Sequence, residues 1–280
     1  MNIIGLGKAG CKIAELFKEY PQYKVFLLDS EDKYKRKKNC FYIPPQQSAE
    51  LYDANPIDLT KLIDSLDDDD EEVYFIVCGS GKVSACSLWI LKELREKKVN
   101  IVYIKPDSSV LDKKSIMRNR AHFHILQEYA RSGVFERIFI FNNNSMSDIV
   151  GKTSILNFYP KINRLVATSI HWYNIYINSD PVFDTFRDKY ISSRIGTISI
   201  VNIDKSQVIE CFEIESVNQI EYFFGVNRIR IEDDEELFEK LTNISSSDSG
   251  DKSVSFGVYP TDLEEGFSFA LKTSSDIQSE

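Results

Sequence analysis

The chain has 280 residues, 42% hydrophobic and 28% charged, an ordinary globular balance that supports one large domain or two smaller ones without staples. Its formal net charge of -9 sets a free acidic surface against the phosphates of DNA and RNA, so direct nucleic-acid binding is not expected. A small anion can still be held by local backbone N–H groups.

The first element, Asn2 to Leu6, is short and apolar and leads into Gly5-Leu6-Gly7-Lys8-Ala9-Gly10. A helical pattern follows over 11–20, with Ile13, Ala14, Leu16 and Phe17 on its apolar face and Pro21 as a stop. Residues 24–28 read as a second buried strand ending at Asp29. Residues 31–39 are charged, and 42–47 form a proline-containing loop. Asn55-Pro56 opens an expected helix through Leu66, and the acidic run 67–72 reads as a solvated turn. Then come a strand over 73–78, Gly79-Ser80-Gly81, a helix over 84–97, a strand over 100–104 closed by Lys105-Pro106, a helix over 113–132, and a strand over 137–141 ending in Asn142-Asn143-Asn144.

This alternation predicts a parallel, doubly wound α/β sheet. Beyond it the pattern changes. Residues 161–176 form a long helical candidate, followed by β-rich segments at 197–203, 208–214, 227–231, 254–259 and 266–272, with a Ser/Asp-rich loop at 245–252. The expected organisation is a nucleotide-binding domain over 1–158, a connecting helix over 159–178 and a smaller α+β domain over 179–280 with a short disordered tail.

Gly5-x-Gly7-x-x-Gly10 follows a strand and opens a helix, where glycines let backbone approach phosphate and the helix start supplies unpaired N–H groups. A dinucleotide fold shows the same motif, and Asp29 stands about 20 residues on, where a ribose-binding acid would sit. A second strand-to-helix loop, Cys78-Gly79-Ser80-Gly81-Lys82-Val83-Ser84, suits a nucleotide gripped from two sides. Its alternative is a tight βα turn. It is neither a Walker A loop nor a G-x-S-x-G elbow. Lys82 reads equally as a point charge on a phosphate or as a solvent-facing lysine.

With these loops in place, the order of segments resembles the tubulin/FtsZ superfamily. Gly7-Lys8-Ala9-Gly10-Cys11 looks like that family's opening phosphate loop, and Asp53-Ala54-Asn55-Pro56 like its Ala-Asn-Pro loop near the γ-phosphate. Residues 79–85 sit where G-G-G-T-G-[ST]-G belongs, but keep two glycines and add Lys82. Residues 99–106, then Asp112-Lys113-Lys114, look like the FtsZ strand, Lys-Pro and acid-Lys-Lys sequence, and Asn142 stands where FtsZ has Pro-Asn. Tyr159-x-x-x-Asn163 matches the aromatic-x-x-x-Asn that opens the family's central helix, where the ring stacks on guanine and the amide reads its edge. Ser255-Phe256-Gly257-Val258 and residues 267–272 resemble the final FtsZ hairpin. The resemblance covers most of residues 1–272 and rests on order and spacing more than identity.

It implies GTP or GDP with Mg²⁺, contacts from Gly5, Gly7, Lys8, Ala9, Gly10, Cys11, Asn55, Gly79, Ser80, Gly81, Lys82, Val83, Ser84, Asp112, Tyr159 and Asn163, and head-to-tail self-association into filaments. In the family a loop after the central helix carries N-x-D-x-x-D, whose acids complete the next subunit's site. Here Asn178 and Asp180 fit its first half, and the next acids, Asp184 and Asp188, fall four residues apart. On a helix one extra residue turns a side chain by about 100°, which predicts weak or degenerate GTP hydrolysis. The same acids also read as helix caps.

A pseudo-GTPase that keeps the fold as a binding subunit is the second reading, and a Rossmann-type oxidoreductase the third. His122 and His124, two apart on a helix, and the isolated His171 read as structural or surface residues. Cys11, Cys40, Cys78, Cys86 and Cys211 are odd in number and lack CxxC spacing, which argues against a zinc site and for reduced thiols in a cytoplasmic protein. No apolar run nears the ~20 residues of a membrane span, and Met1 leads into glycines rather than a signal peptide.

Overall fold

In a computed structural model, which describes residues 1–66, 72–186, 193–247 and 250–279, the alternating first half of the chain becomes a parallel sheet. Its strands are β1 (Asn2–Leu6), β2 (Lys24–Asp29), β3 (Cys40–Tyr42), β4 (Glu72–Cys78), β5 (Lys98–Lys105) and β6 (Arg137–Asn142). They lie in the order β3-β2-β1-β4-β5-β6, each neighbouring pair parallel. The helices are α1 (Gly7–Leu16), α2 (Ala49–Ala54), α3 (Thr60–Ile63), α4 (Ser87–Glu93), α5 (Lys113–Arg131), α6 (Asn143–Val150) and α7 (Ile155–Ile177).

The strand order reverses between β1 and β4. Parallel crossovers are right-handed, so the helices before and after the reversal cover opposite faces. With both faces covered, the central strands are mostly apolar, and residues 73–77 are fully buried. Doubly wound sheets hold their ligands in the crevice outside the carboxyl ends of the strands at such a reversal, here those of β1 and β4.

α1 reaches this crevice by close packing. A Cβ on Gly10 would run into the Ile76 carbonyl oxygen of β4, and one on Gly5 would lie 2.5 Å from the Gly10 carbonyl oxygen. Only glycine lets the helix backbone settle this near the sheet.

The chain divides into two units by contacts, residues 1–167 and 168–279, and α7 contributes residues to each. In the second unit the strands are β7 (Phe183–Asp184), β8 (Ile195–Asn202), β9 (Gln207–Glu210), β10 (Gln219–Asn227), β11 (Ser253–Thr261) and β12 (Ser268–Ser274), with helices α8 (Arg228–Asp233) and α9 (Leu237–Ser246). β10 pairs parallel with β11 and antiparallel with β12, and β12 pairs antiparallel with β8. Ile220, Tyr222, Phe224 and Val226 of β10 face the cluster that holds Leu237, Leu241 and Ile244 of α9. On the other face Phe223 stacks with Tyr176 of α7, Tyr259 and Phe269. Gly225 leaves room there for the Tyr176 hydroxyl, which donates to the Phe267 carbonyl at 2.8 Å.

Several boundaries differ from the sequence expectation. Asn55 ends α2 rather than opening a helix: its amide donates to the Leu51 carbonyl at 2.7 Å. The helix expected over 84–97 is a 3-10 turn, Val83–Cys86, followed by α4. α7 begins at Ile155, six residues before the expected start, and includes Pro160. Residues 227–231, read as a strand from their alternation, open α8, because the Asn227 side chain accepts the Ile229 N–H at 2.9 Å and caps it. The sequence reading did not anticipate β3, α6, β10 or α9. Of the acidic run, residues 67–71 lie outside the described residues.

Gly10→Ala should lower stability by ~1–3 kcal/mol through overpacking against Ile76, while Gly81→Ala, on an exposed loop, should cost well under that. Urea unfolding of the two variants beside wild type measures the difference. A Gly10→Ala midpoint equal to wild type would mean that α1 is not seated on β4 as described.

Candidate functional site

β1 delivers the chain to the crevice and α1 starts at once. Gly7 takes a φ of +69°, a left-handed geometry suited to glycine. The cap residue Leu6 gives no side-chain hydrogen bond and the first turn carries no acid, so the leading N–H groups of α1 meet no side-chain acceptor there. Lys8 is exposed and Ala9 half-buried on this turn. Cys11, expected as a ligand contact, turns its side chain into the fold. Its buried thiol donates to the carbonyls of Gly5 at 3.2 Å and Leu28 at 3.4 Å. Burial, and next the negative Asp29, push that thiol far above the ordinary range, so it stays neutral.

The second loop leaves β4 at Cys78. A Cβ on Gly79 would strike the Tyr103 hydroxyl, so this glycine too is required by packing. Ser84 donates its hydroxyl to the Cys78 carbonyl and closes the loop. Gly81 and Lys82 are exposed at its tip. Lys82 faces solvent, and its ammonium donates to the Gln47 carbonyl at 3.0 Å, which ties the loop to the segment before α2. The two loops lie side by side: a Cβ added at Gly7 would sit 3.9 Å from the Val83 Cβ.

Arg118 of α5 was not singled out from sequence, yet it grips this loop. Its Nε and Nη2 donate to the Ser80 carbonyl at 3.3 and 3.1 Å, and Nη2 also donates to Ser115 Oγ at 2.7 Å. Asp112, one of the expected nucleotide contacts, caps α5 by accepting the Ser115 N–H at 2.8 Å, which holds its carboxyl below the usual range. One turn beyond Arg118, His122 places Nδ1 3.0 Å from the Arg118 carbonyl oxygen. Burial lowers the His122 pKa, Arg118 adds to that, and hydrogen bonds and Asp53 oppose it. The spacing Ser115, Arg118, His122 on one helical face is the signal that could have pointed to this brace.

A cavity of about 400 Å³ lies further along the same carboxyl edge, lined by Lys105, Pro106, Ser108, Asn119, Arg120, Asn142 and Asn144 among others. Asn144 donates to Asp107 at 3.4 Å, and Asn142 caps α6 through the Asn144 N–H at 2.9 Å. Tyr159 and Asn163 lie one turn apart on α7. Tyr159 is 50% exposed with its ring edge-on to Phe158 at 5.2 Å, and Asn163 is half-buried. Neighbouring Arg164 pairs with Glu19 through contacts of 2.5 and 2.7 Å.

The acids do not follow the helical premise. Asp180 is exposed ahead of β7, and Asp184 lies within β7, where it accepts the Phe186 N–H at 3.1 Å. The rotation expected of one extra helical residue therefore does not apply to Asp184, and neither acid caps a described helix. Asp188 lies outside the described residues. Among the described residues no group of three His, Cys, Asp or Glu side chains is placed to hold a metal ion. No described helix is long and apolar enough to cross a membrane.

Comparison with solved structures places this architecture. It superposes on the empty FtsZ dimer structure from M. jannaschii with a TM-score of 0.71 at 10% identity, covering 98% of this chain and 87% of that one. A GTPγS-form protofilament of TubZ from Bacillus thuringiensis serovar israelensis gives 0.71 at 16% identity, covering 97% and 86%. GDP-bound monomeric CetZ1 from Haloferax volcanii gives 0.69 at 16% identity, covering 98% and 94%. The fold is that of the tubulin/FtsZ superfamily. No family model and no curated protein sequence matches the chain. In this fold the two glycine loops stand at the β1/β4 reversal and Arg118 braces the second of them.

The lowered His122 pKa has a consequence for stability. Below the ordinary imidazole value of about 6.5, the unfolded chain binds a proton that folded His122 resists, so stability falls as pH drops through this range. The slope from this group is at most ~1.4 kcal/mol per pH unit. His122→Gln should flatten the loss between about pH 7.5 and about pH 5.5, with His171 supplying a remainder of the same sign. Urea midpoints at the two pH values test this; an unchanged slope in the variant would remove His122 as the source.

Proposed function

We propose that the chain binds guanine nucleotide at the β1/β4 crevice and assembles head-to-tail through that site, with weak GTP hydrolysis completed by the neighbouring subunit. The observation that carries the reading is the placement of two strand–glycine–helix loops side by side at the strand-order reversal, Gly7 near Val83. Phosphates fit there, against the first turn of α1 and the exposed tip at Gly81. From β1 to β6 is three strand spacings, about 14 Å, a distance suited to an extended nucleotide whose base end lies toward the cavity at the tips of β5 and β6. That cavity is within the usual range for small-molecule sites.

The solved relatives in this fold include GDP-bound and GTPγS-bound forms and protofilaments, which supports both nucleotide and self-assembly. On this reading residues 1–158 form the nucleotide domain, 159–178 the connecting helix, and 179–280 the part that presents Asp180 and Asp184 to the next subunit. Both acids are exposed, as a contribution in trans requires. A pseudo-GTPase remains the second reading, favoured by the second loop's loss of glycines.

Mg²⁺ goes with such a nucleotide and usually takes one or two carboxylates besides the phosphates. Asp29, at the carboxyl tip of β2, has one buried oxygen without a hydrogen-bond partner and a pKa raised by burial, and it suits that role. Bound there, the ion supplies neutralisation of phosphate charge. The chain's own residues supply backbone N–H donors, base recognition and, from the neighbour, carboxylates to polarise water.

Titration with fluorescent guanine and adenine nucleotides should show GTP preferred by at least ~10-fold. Asn163→Ala should narrow that ratio, since an unpaired polar edge costs ~1–3 kcal/mol. Equal affinities would sink the guanine reading, and an unchanged ratio in a folded variant would move base recognition to Asn142 and Asn144. For hydrolysis, turnover per subunit should rise with protein concentration and stay low. Asp184→Ala should reduce it further while leaving nucleotide affinity within ~2-fold, because the residue acts in trans. Fast turnover independent of concentration would refute the shared site; tight binding without any turnover would establish the pseudo-GTPase.

A further inference from the structure

We propose that Arg118 is a positioning residue that aims the Gly81 N–H at the anion in the crevice; this rests on the nucleotide reading above and deepens it. The argument starts from the planar trans peptide between Ser80 and Gly81. In such a unit the carbonyl and the N–H point in opposite directions. Arg118 holds the Ser80 carbonyl with two hydrogen bonds, at 3.3 and 3.1 Å. It thereby fixes the Gly81 N–H pointing away from α5. Gly81 is exposed, and no acceptor among the described residues takes its N–H. The donor is therefore fixed in direction and open to a ligand.

The guanidinium is itself held. Ser115 Oγ accepts from it at 2.7 Å, and Ser115 is fixed through its N–H to Asp112. His122 sits against the Arg118 carbonyl one turn on. Asp112, Ser115 and Arg118 so form a chain along one face of α5 that ends at the loop. A loop richer in glycine could turn its N–H groups to a phosphate by backbone freedom alone. Here two glycines remain, and a forked side chain supplies the orientation. Arg suits this because its planar fork can hold a carbonyl and a hydroxyl together, which a lysine point charge cannot do with fixed direction. The ligand it prepares for is the diphosphate or triphosphate end of a nucleotide rather than its base.

The test measures GDP, guanosine and inorganic pyrophosphate binding to the full chain, with the Gly81 amide proton followed by NMR. Arg118→Met should weaken GDP by about 10-fold, leave guanosine unchanged, and abolish the ligand-induced shift of the Gly81 amide. Ser115→Ala keeps the charge but removes the brace, and should weaken GDP by about 3-fold in the same direction, with no further loss in the double variant. GDP affinity unaltered in Arg118→Met, or lowered there with Ser115→Ala at wild type and the Gly81 shift intact, would overturn positioning; the latter would assign Arg118 a charge effect alone. If the wild type binds no nucleotide but pyrophosphate shifts the Gly81 amide in an Arg118-dependent way, the guanine reading fails and this one stands. If neither GDP nor pyrophosphate shifts that amide in the wild type, the inference is overturned. Circular dichroism of each variant separates these outcomes from loss of fold.

Discussion

The approach of α1 to β4 is the constraint on which the carboxyl edge of the first unit depends. Gly10 lies so near the Ile76 carbonyl that no side chain fits between them. That contact fixes where the helix begins, and the beginning of the helix is what faces the crevice. Gly7 then has to turn the chain through a left-handed geometry within one residue of β1. The same seating brings Gly7 against Val83, so the second loop inherits its place from the first. Cys11 reinforces the arrangement from below by bridging the carbonyls of Gly5 and Leu28, on neighbouring strands.

The sheet of the first unit could be read from sequence because burial on both faces writes its strands as unbroken apolar runs. Residues 73–77 and 101–104 are such runs, each ended by glycine or proline chemistry. In the second unit the same rule misled. β10 is covered on both faces, by α9 and by Tyr176, so its Tyr222-Phe223-Phe224 shows no alternation, while Asn227 to Ile231 alternates and is largely helix. There a single Asn side chain capping α8 outweighs the pattern. β3 is three residues long, and β7, two residues long, depends on a pairing partner far along the chain, so neither leaves a local mark.

The site was half visible. The spacing of glycines located both loops, but not why the glycines are there. At Gly5, Gly10 and Gly79 an added Cβ would collide with neighbouring backbone or side chains, so packing alone already requires glycine there. Arg118 acts across 38 positions of sequence, so its spacing with Ser115 and His122 marks a helical face but not the loop that it holds. The acids after α7 were judged by helical geometry, and Asp184 lies in a strand, where side chains alternate instead of rotating. Spacing alone cannot choose between those two periods when the secondary structure is unknown.

The two sides of the crevice are therefore built in different ways, and this bears on how the site can vary. The first side is backbone held by backbone. Any change at Gly5 or Gly10 is felt by the packing of α1 before it is felt by a ligand, so its geometry is coupled to the stability of the whole unit. The second side is backbone held by side chains: Ser84 on the Cys78 carbonyl, Lys82 on that of Gln47, Arg118 on that of Ser80. Each of these is a single side-chain-to-carbonyl contact, worth about 1 kcal/mol in net stability. Such contacts can be exchanged without unseating a helix. A loop of this kind tolerates loss of glycine, because direction is imposed from outside the backbone. The divergence of residues 79–85 from a glycine-rich signature is thus compatible with an intact crevice, provided the side-chain braces remain.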